Sequence, residues 1–172
     1  DLDNAYTTAL IKTELDIVSY EENKADIYFE IYDKKNNIVA QSESVEIKNA
    51  NISLEATVKD PHLWSAEDPY LYTMYVYIKD SLKDEYIEIV PQKVGIRVFE
   101  LVDNIMYING ERIVFKGVNR HEFSCYNGRA VTKEEMIWDI KFLKRHNFNA
   151  VRCSHYPNDS LWYELCDEYG LY

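Results

Sequence analysis

Two short stretches concentrate the side chains that could do chemistry. Asn119, Arg120, His121 and Glu122 form one; Arg152, Ser154, His155 and Tyr156 form the other. Two imidazoles and a guanidinium in one place could hold hydroxyls and carboxylates by directed, partly charge-assisted hydrogen bonds. Taken singly, each residue has a plainer reading. A histidine after a strand commonly packs in a loop, Glu122 could pair with a local cation, and Arg152 could be an ion-pair partner within the fold. Zinc is a rival, because His121, Cys125, Cys153 and His155 carry suitable atoms. Their spacing matches no standard zinc pattern, and the run from His121 to Cys125 lacks the second histidine of a zincin helix. No metal is therefore expected in this chain. Thiol catalysis is disfavoured because Cys153 lies in an apolar run, where thiols are usually inert. No phosphate loop, dinucleotide fingerprint or serine elbow is present.

The elements that must carry these residues follow from pattern. From Tyr6 to about Arg97 the chain reads as about seven short strands: Thr8–Val18, Ala25–Tyr32, Ile38–Ser44, Ile52–Val58, Leu71–Ile78, Tyr86–Val90 and Lys93–Phe99. Period-two alternation with polar turns between the runs predicts a β-sandwich. Fifteen tyrosines suit a half-buried sheet. After Phe99 the pattern changes. Asp103–Ile108 and Glu111–Lys116 flank Asn109-Gly110, the strongest short hairpin signal. Thr132-Lys133-Glu134-Glu135 forms a capping box, opening a helix that ends near Asn147. Residues 149–153 read as a buried parallel strand. Asp159 or Ser160 caps a second helix over Leu161–Tyr169, and Gly170 stands where a C-terminal glycine belongs. Trp138 and Trp162, both on helices, are expected in the core. The second part is thus a βαβα unit of a parallel α/β domain. In such domains sites form at the carboxyl ends of strands, so both polar stretches would lie side by side, about 5 Å apart between strand axes.

Composition narrows the function classes. The 172 residues carry a net charge of −11, 47% hydrophobic and 28% charged residues, five glycines and four prolines. Disorder and low complexity are excluded, and a nucleic-acid or anionic-membrane partner is not expected. Residues 1–100 hold 20 acidic and 10 basic side chains, and residues 101–172 hold 10 and 9, so the acidic surface belongs to the first part. No apolar run reaches the roughly 18 residues of a membrane span, and no signal peptide is visible at Asp1-Leu2-Asp3-Asn4. Three cysteines without regular spacing suggest free thiols and a cytoplasmic setting. About 70 residues are too few for a (β/α)₈ barrel of roughly 250. The expected fold is an all-β immunoglobulin-like sandwich over residues 1–98, followed by a partial α/β (TIM barrel) segment over 99–172.

Asn149-Ala150-Val151-Arg152-Cys153-Ser154-His155-Tyr156-Pro157-Asn158, with Leu161-Trp162-Tyr163 and Asp167–Tyr172, resembles the first signature of glycoside hydrolase family 2. Gly117–Glu122 resembles that family's segment just upstream. Leu63–Pro69 and Leu71-Tyr72 resemble late strands of its immunoglobulin-like domain. The resemblance is closest to the large bacterial β-galactosidases. The β-glucuronidases, the nearest sibling, usually carry Lys at the place of Arg120 and Thr at that of Cys153. The resemblance implies a retaining hydrolase of terminal β-galactosides, working through one acid/base and one nucleophilic glutamate about 5 Å apart. Both would lie beyond Tyr172, so no acidic residue of this chain is assigned either role and the isolated chain is expected to be inactive. His121 and His155 match positions that bind sugar hydroxyls and stabilise the transition state. Arg152 matches an arginine beneath the nucleophilic carboxylate, and Asn119 and Arg120 match supporting positions. Mg2+, with Na+ as a further ion, is implied only through downstream residues, and a homo-oligomer is implied for the parent. A different class of reading treats the sandwich as a linker or interaction module.

Overall fold

The computed structural model describes residues 1–18 and 24–172. They form two compact units. The first comprises Asp1–His62 and Leu71–Ile96; the second comprises Leu63–Tyr70 and Arg97–Tyr172.

The first unit holds β1 (Thr8–Asp16), β2 (Ala25–Tyr32), β3 (Ile38–Gln41), β4 (Val45–Glu46), β5 (Asn51–Lys59), β6 (Tyr72–Asp80) and β7 (Glu85–Val94). β1 and β5 pair antiparallel along their whole length, from Thr8↔Lys59 to Asp16↔Asn51. The other sheet runs β3-β2-β6-β7, with β4 also on β2. Strict alternation on β2 and β5 sends every second side chain inward. Ala9, Leu54, Ala56 and Val58 of one sheet and Ile27, Phe29, Ile31, Met74 and Val76 of the other supply the buried apolar core. Thr13 Oγ1 meets Met74 Sδ at 3.8 Å across the two layers. The turns are aspartate-built: Asp33 accepts from the amides of Lys35 and Asn37, and Asp80 from those of Leu82 and Lys83.

The end of this unit departs from expectation. Tyr86–Val90 and Lys93–Phe99 are not two strands. β7 runs unbroken through Pro91, because it is an outer strand of its sheet and an edge strand leaves alternate N–H groups unpaired. Phe99 opens a separate strand.

The second unit holds β8 (Phe99–Val102), β9 (Ile105–Ile108), β10 (Glu111–Arg112), β11 (Gly117–Arg120), α1 (Lys133–Arg145), β12 (Ala150–Cys153) and α2 (Ser160–Tyr169). Asn109 and Gly110 take φ of 52° and 78° between β9 and β10, as the dipeptide requires. Asp103 and Asn104 were expected within a strand. They instead form a second positive-φ turn between β8 and β9, a conformation that Asp and Asn tolerate better than other non-glycine residues.

β11 and β12 pair in parallel, Gly117↔Ala150 to Arg120↔Cys153. Tyr172 then makes both hydrogen bonds of a parallel bridge to Ala150: its N–H donates to Asn149 O, and Val151 N–H donates to its carbonyl, each at 2.8 Å. The helices cover one face of this sheet through Met136, Ile140, Leu143, Trp162, Leu165, Cys166 and Leu171, with Val118, Val151 and Cys153 packed against them. Trp138 contradicts its expected core position. It is 64% exposed and stacked on Phe142 at 5.3 Å, because α1 turns Met136, Ile140 and Leu143 inward and residue 138 lies half a turn away. Among the described residues no helix is long and apolar enough to cross a membrane.

Candidate functional site

The pairing of β11 with β12 decides what the polar residues can do together. In the register Val118↔Val151 and Arg120↔Cys153 face the helices, so Asn119↔Arg152 face the opposite side. There they help line an open cleft of about 540 Å³, together with Phe115, Gly117, Ala150 and Tyr172. Gly117 permits this close strand approach, since a Cβ there would stand 2.8 Å from Ala150 O.

His121 is the first residue after β11, and His155 is the second after β12. Parallel pairing therefore brings both to the carboxyl edge, with ring centroids 5.8 Å apart and planes at 87°. The Tyr156 ring lies 6.3 Å from His121, and the Arg129 guanidinium 5.6 Å from the Tyr156 ring. Both histidines and Arg152 are exposed. The edge thus presents hydrogen-bonding side chains and an aromatic face to anything bound above the sheet, a combination suited to polyhydroxylated ligands.

Arg120 is placed differently from its neighbours. It is only 8% exposed. Its Nε donates to Asp139 Oδ2 at 2.8 Å, its Nη1 to Asn158 Oδ1 at 3.1 Å, and its guanidinium lies 3.7 Å from the Trp162 ring centroid. It ties β11 to α1, to the loop after β12 and to α2. Nη2 has no hydrogen-bond partner among the described residues.

The loop carrying His155 is held at several points. Ser154, fully buried, donates its N–H to Arg120 O at 2.8 Å. Asn158 N–H donates to Tyr163 Oη at 2.9 Å. Asp159 caps α2 by accepting from Leu161 N–H at 2.9 Å. The Ser154–His155 peptide is cis. Glu122 forms no ion pair among the described residues; its carboxylate accepts from the Asp159 N–H. Arg129, Asp139 and Asn158 were not singled out from sequence. Their side-chain contacts with Arg120 or Tyr156 include ones 19 to 38 residues away in the chain, and no local spacing rule signals such contacts.

Among the described residues no group of three or more His, Cys, Asp or Glu side chains converges to hold a metal ion. His121, Cys125, Cys153 and His155 do not form such a cluster, and all three cysteines are free. A second cleft of about 650 Å³ lies at the opposite ends of the strands, near Lys116 and Asn149, and includes none of the expected site residues.

Comparison with known proteins divides the chain in sequence order, leaving residues 63–70 with the first part. Residues 1–97 match the family described as glycosyl hydrolases family 2, and residues 99–172 match its TIM barrel domain. A β-galactosidase of Halalkalibacterium halodurans is 51% identical over 172 residues, covering 100% of this chain and 17% of that protein. One from Clostridium acetobutylicum is 50% identical, covering 100% and 19%. The chain therefore spans under a fifth of these curated relatives. Among solved structures, a β-glucuronidase of Parabacteroides merdae superimposes with a TM-score of 0.87 at 26% identity, covering 99% of this chain and 21% of that one. A β-glucuronidase of Ruminococcus gnavus does so with 0.79 at 27%, covering 99% and 27%.

Proposed function

This chain belongs to glycoside hydrolase family 2, and we propose that it is part of a retaining β-galactosidase. In this reading the first unit is an immunoglobulin-like sandwich and the second is the opening of a (β/α)₈ barrel. The parallel bridge from Tyr172 to β12 supports a third barrel strand beginning there, in sequential order beside the second.

The observation that carries the proposal is the meeting of His121 and His155 at the carboxyl edge of two parallel strands, with Asn119 and Arg152 on the sheet face beside them. The histidines would hold sugar hydroxyls through hydrogen bonds that strengthen as the ring approaches its oxocarbenium-like transition state. Arg152 would lie under the nucleophilic carboxylate and keep it ionised, since a nearby cation lowers a carboxylate pKa. Asn119 and Arg120 would support this arrangement. The acid/base and nucleophilic glutamates would come from barrel strands outside this chain, as would the ligands of Mg2+ and Na+. Three free thiols fit a cytoplasmic setting.

Galactose is favoured over glucuronic acid because relatives named β-galactosidase are 50–51% identical, against 26–27% for the glucuronidases. The test uses the full-length protein with aryl β-galactoside and aryl β-glucuronide. Hydrolysis of the galactoside is expected, and hydrolysis of the glucuronide alone would overturn the substrate assignment. His155→Ala should lower kcat/KM by the equivalent of about 2–4 kcal/mol, mainly through kcat. Unchanged kinetics would remove His155 from the site.

A further inference from the structure

We propose that Glu122 is a positioning residue that sets His155, acting through the loop amide of Asp159 rather than on any substrate. The inference rests on the hydrolase reading above for its effect on rate, but its geometry stands on the loop alone.

Among the described residues no side chain hydrogen-bonds the His155 imidazole. Among the described residues its one ring partner is His121, set perpendicular to it at 5.8 Å between centroids. The position of the ring is therefore inherited from its backbone. That backbone belongs to the loop between β12 and α2, whose start is pinned to β11 by the Ser154 N–H on Arg120 O. Its far end is pinned by the Glu122 carboxylate, which takes the Asp159 N–H on both oxygens, at 3.1 and 3.2 Å. Between them the Tyr156 hydroxyl donates to the Glu122 carbonyl at 3.5 Å. Residue 122 thus touches the loop one and four residues beyond His155, and it directly follows His121.

The chemistry favours a fixed carboxylate here. The Asp159 N–H precedes the first turn of α2, where amide dipoles point their positive ends outward. A carboxylate accepting from an amide there makes a charge-assisted hydrogen bond. Small displacements of a transition-state donor are costly to rate, so a side chain that removes one degree of freedom from the His155 loop affects catalysis without touching sugar.

The experiment uses the full-length protein with two readouts. The first is hydrogen exchange, followed by mass spectrometry, over the peptide containing residues 154–160. The second is aryl-galactoside kinetics. Glu122→Asp keeps the charge but shortens the reach by one methylene; Glu122→Gln keeps an oxygen acceptor at the same reach. E122D should speed exchange in the loop and lower kcat/KM about 10–100-fold with little change in Tm, and E122Q, which keeps one oxygen acceptor at full reach but loses the charge, should fall between E122D and wild type. In a His155→Ala background E122D should cost little more, because its effect passes through His155. Unchanged loop exchange in E122D overturns the clamp whatever the substrate. An E122D loss of the same size with and without His155 overturns the route through that residue. An inactive wild type with faster loop exchange in E122D would instead sink the hydrolase reading and leave the clamp standing.

Discussion

At the scale of single residues, exposure separates side chains open to the cleft from those packed into the frame. Arg120 and Arg152 share a residue type and stand on neighbouring strands, yet parity sends one among the helices and the other to the open cleft. Arg120 uses the planar fork and stacking face of a guanidinium against Asp139, Asn158 and Trp162, which a lysine at that place could not reproduce. The cysteines divide by burial in the same way. Burial, with a smaller contribution from Cys153, pushes the Cys166 thiol up to about 12, so it stays protonated and unreactive at pH 8. Cys125 is exposed. A thiol reagent on the native protein, with sites located by mass spectrometry, should label Cys125 quickly and Cys166 only after denaturation. Equal labelling would contradict the packing of α2.

At the scale of elements, local rules and tertiary packing can be told apart on α1. Its start is a reciprocal capping box: Glu135 N–H donates to Thr132 Oγ1 and Thr132 N–H to Glu135 Oε2. Ser124 of the preceding loop adds a hydroxyl to the Glu135 carboxylate. Thr132→Ala should destabilise the protein by about 1 kcal/mol in urea unfolding. The Ser124 hydroxyl, followed by the Thr132 amide, holds the Glu135 carboxyl below its ordinary 4.5. A depressed carboxylate stabilises the fold above its unfolded value and loses that contribution as pH falls through the folded one. The stability gap between wild type and Glu135→Gln should therefore narrow below pH 4.5. A gap that widens toward acid would reverse the assignment. On β2 and β6, Tyr28 stacks on its cross-strand partner Tyr77 at 5.0 Å, and Tyr77 meets Tyr86 of β7 at 5.4 Å. Such pairs stabilise a half-exposed sheet face.

At the scale of the whole molecule, the order of the chain and the membership of its units differ. Leu63–Tyr70 follows β5 and precedes β6, yet it belongs to the later unit. Trp64, 2% exposed, donates its indole N–H to Asp167 O at 2.7 Å, and the Arg97 guanidinium sits 4.6 Å from its ring. Lys144 donates to Ala66 O and Gly170 O at 2.6 and 2.8 Å, joining this segment to the end of α2. Gly170 is required twice over: its φ is +81°, and a Cβ would run into the Ala66 carbonyl. Gly170→Ala should cost about 1–3 kcal/mol. Gly170→Asn, which tolerates that φ, should cost a similar amount by thermal unfolding if the Ala66 contact is the cause. A neutral Gly170→Asn would show that the backbone angle alone matters.

Features governed by neighbours in the chain were legible before any coordinates. The Asn109-Gly110 turn, the capping box at Thr132, a cap at Asp159 or Ser160 and the terminal glycine of α2 all follow from residues within four positions of one another. So did the family, because its signature is a run of adjacent residues around His155. Other features needed the fold: the exposure of Trp138, the packing of Leu63–Tyr70 with the later unit, the passage of β7 through Pro91, and the tying of Glu122 to Asp159. Each depends on which groups compete for a face, an edge or a hydrogen bond across tens of residues. Local propensity carries no information about such partners. Parallel strand order already placed the two polar stretches side by side; only the tertiary structure set their register, with Asn119 opposite Arg152 on the open face and Arg120 buried among the helices, because strand register depends on packing partners across the sheet.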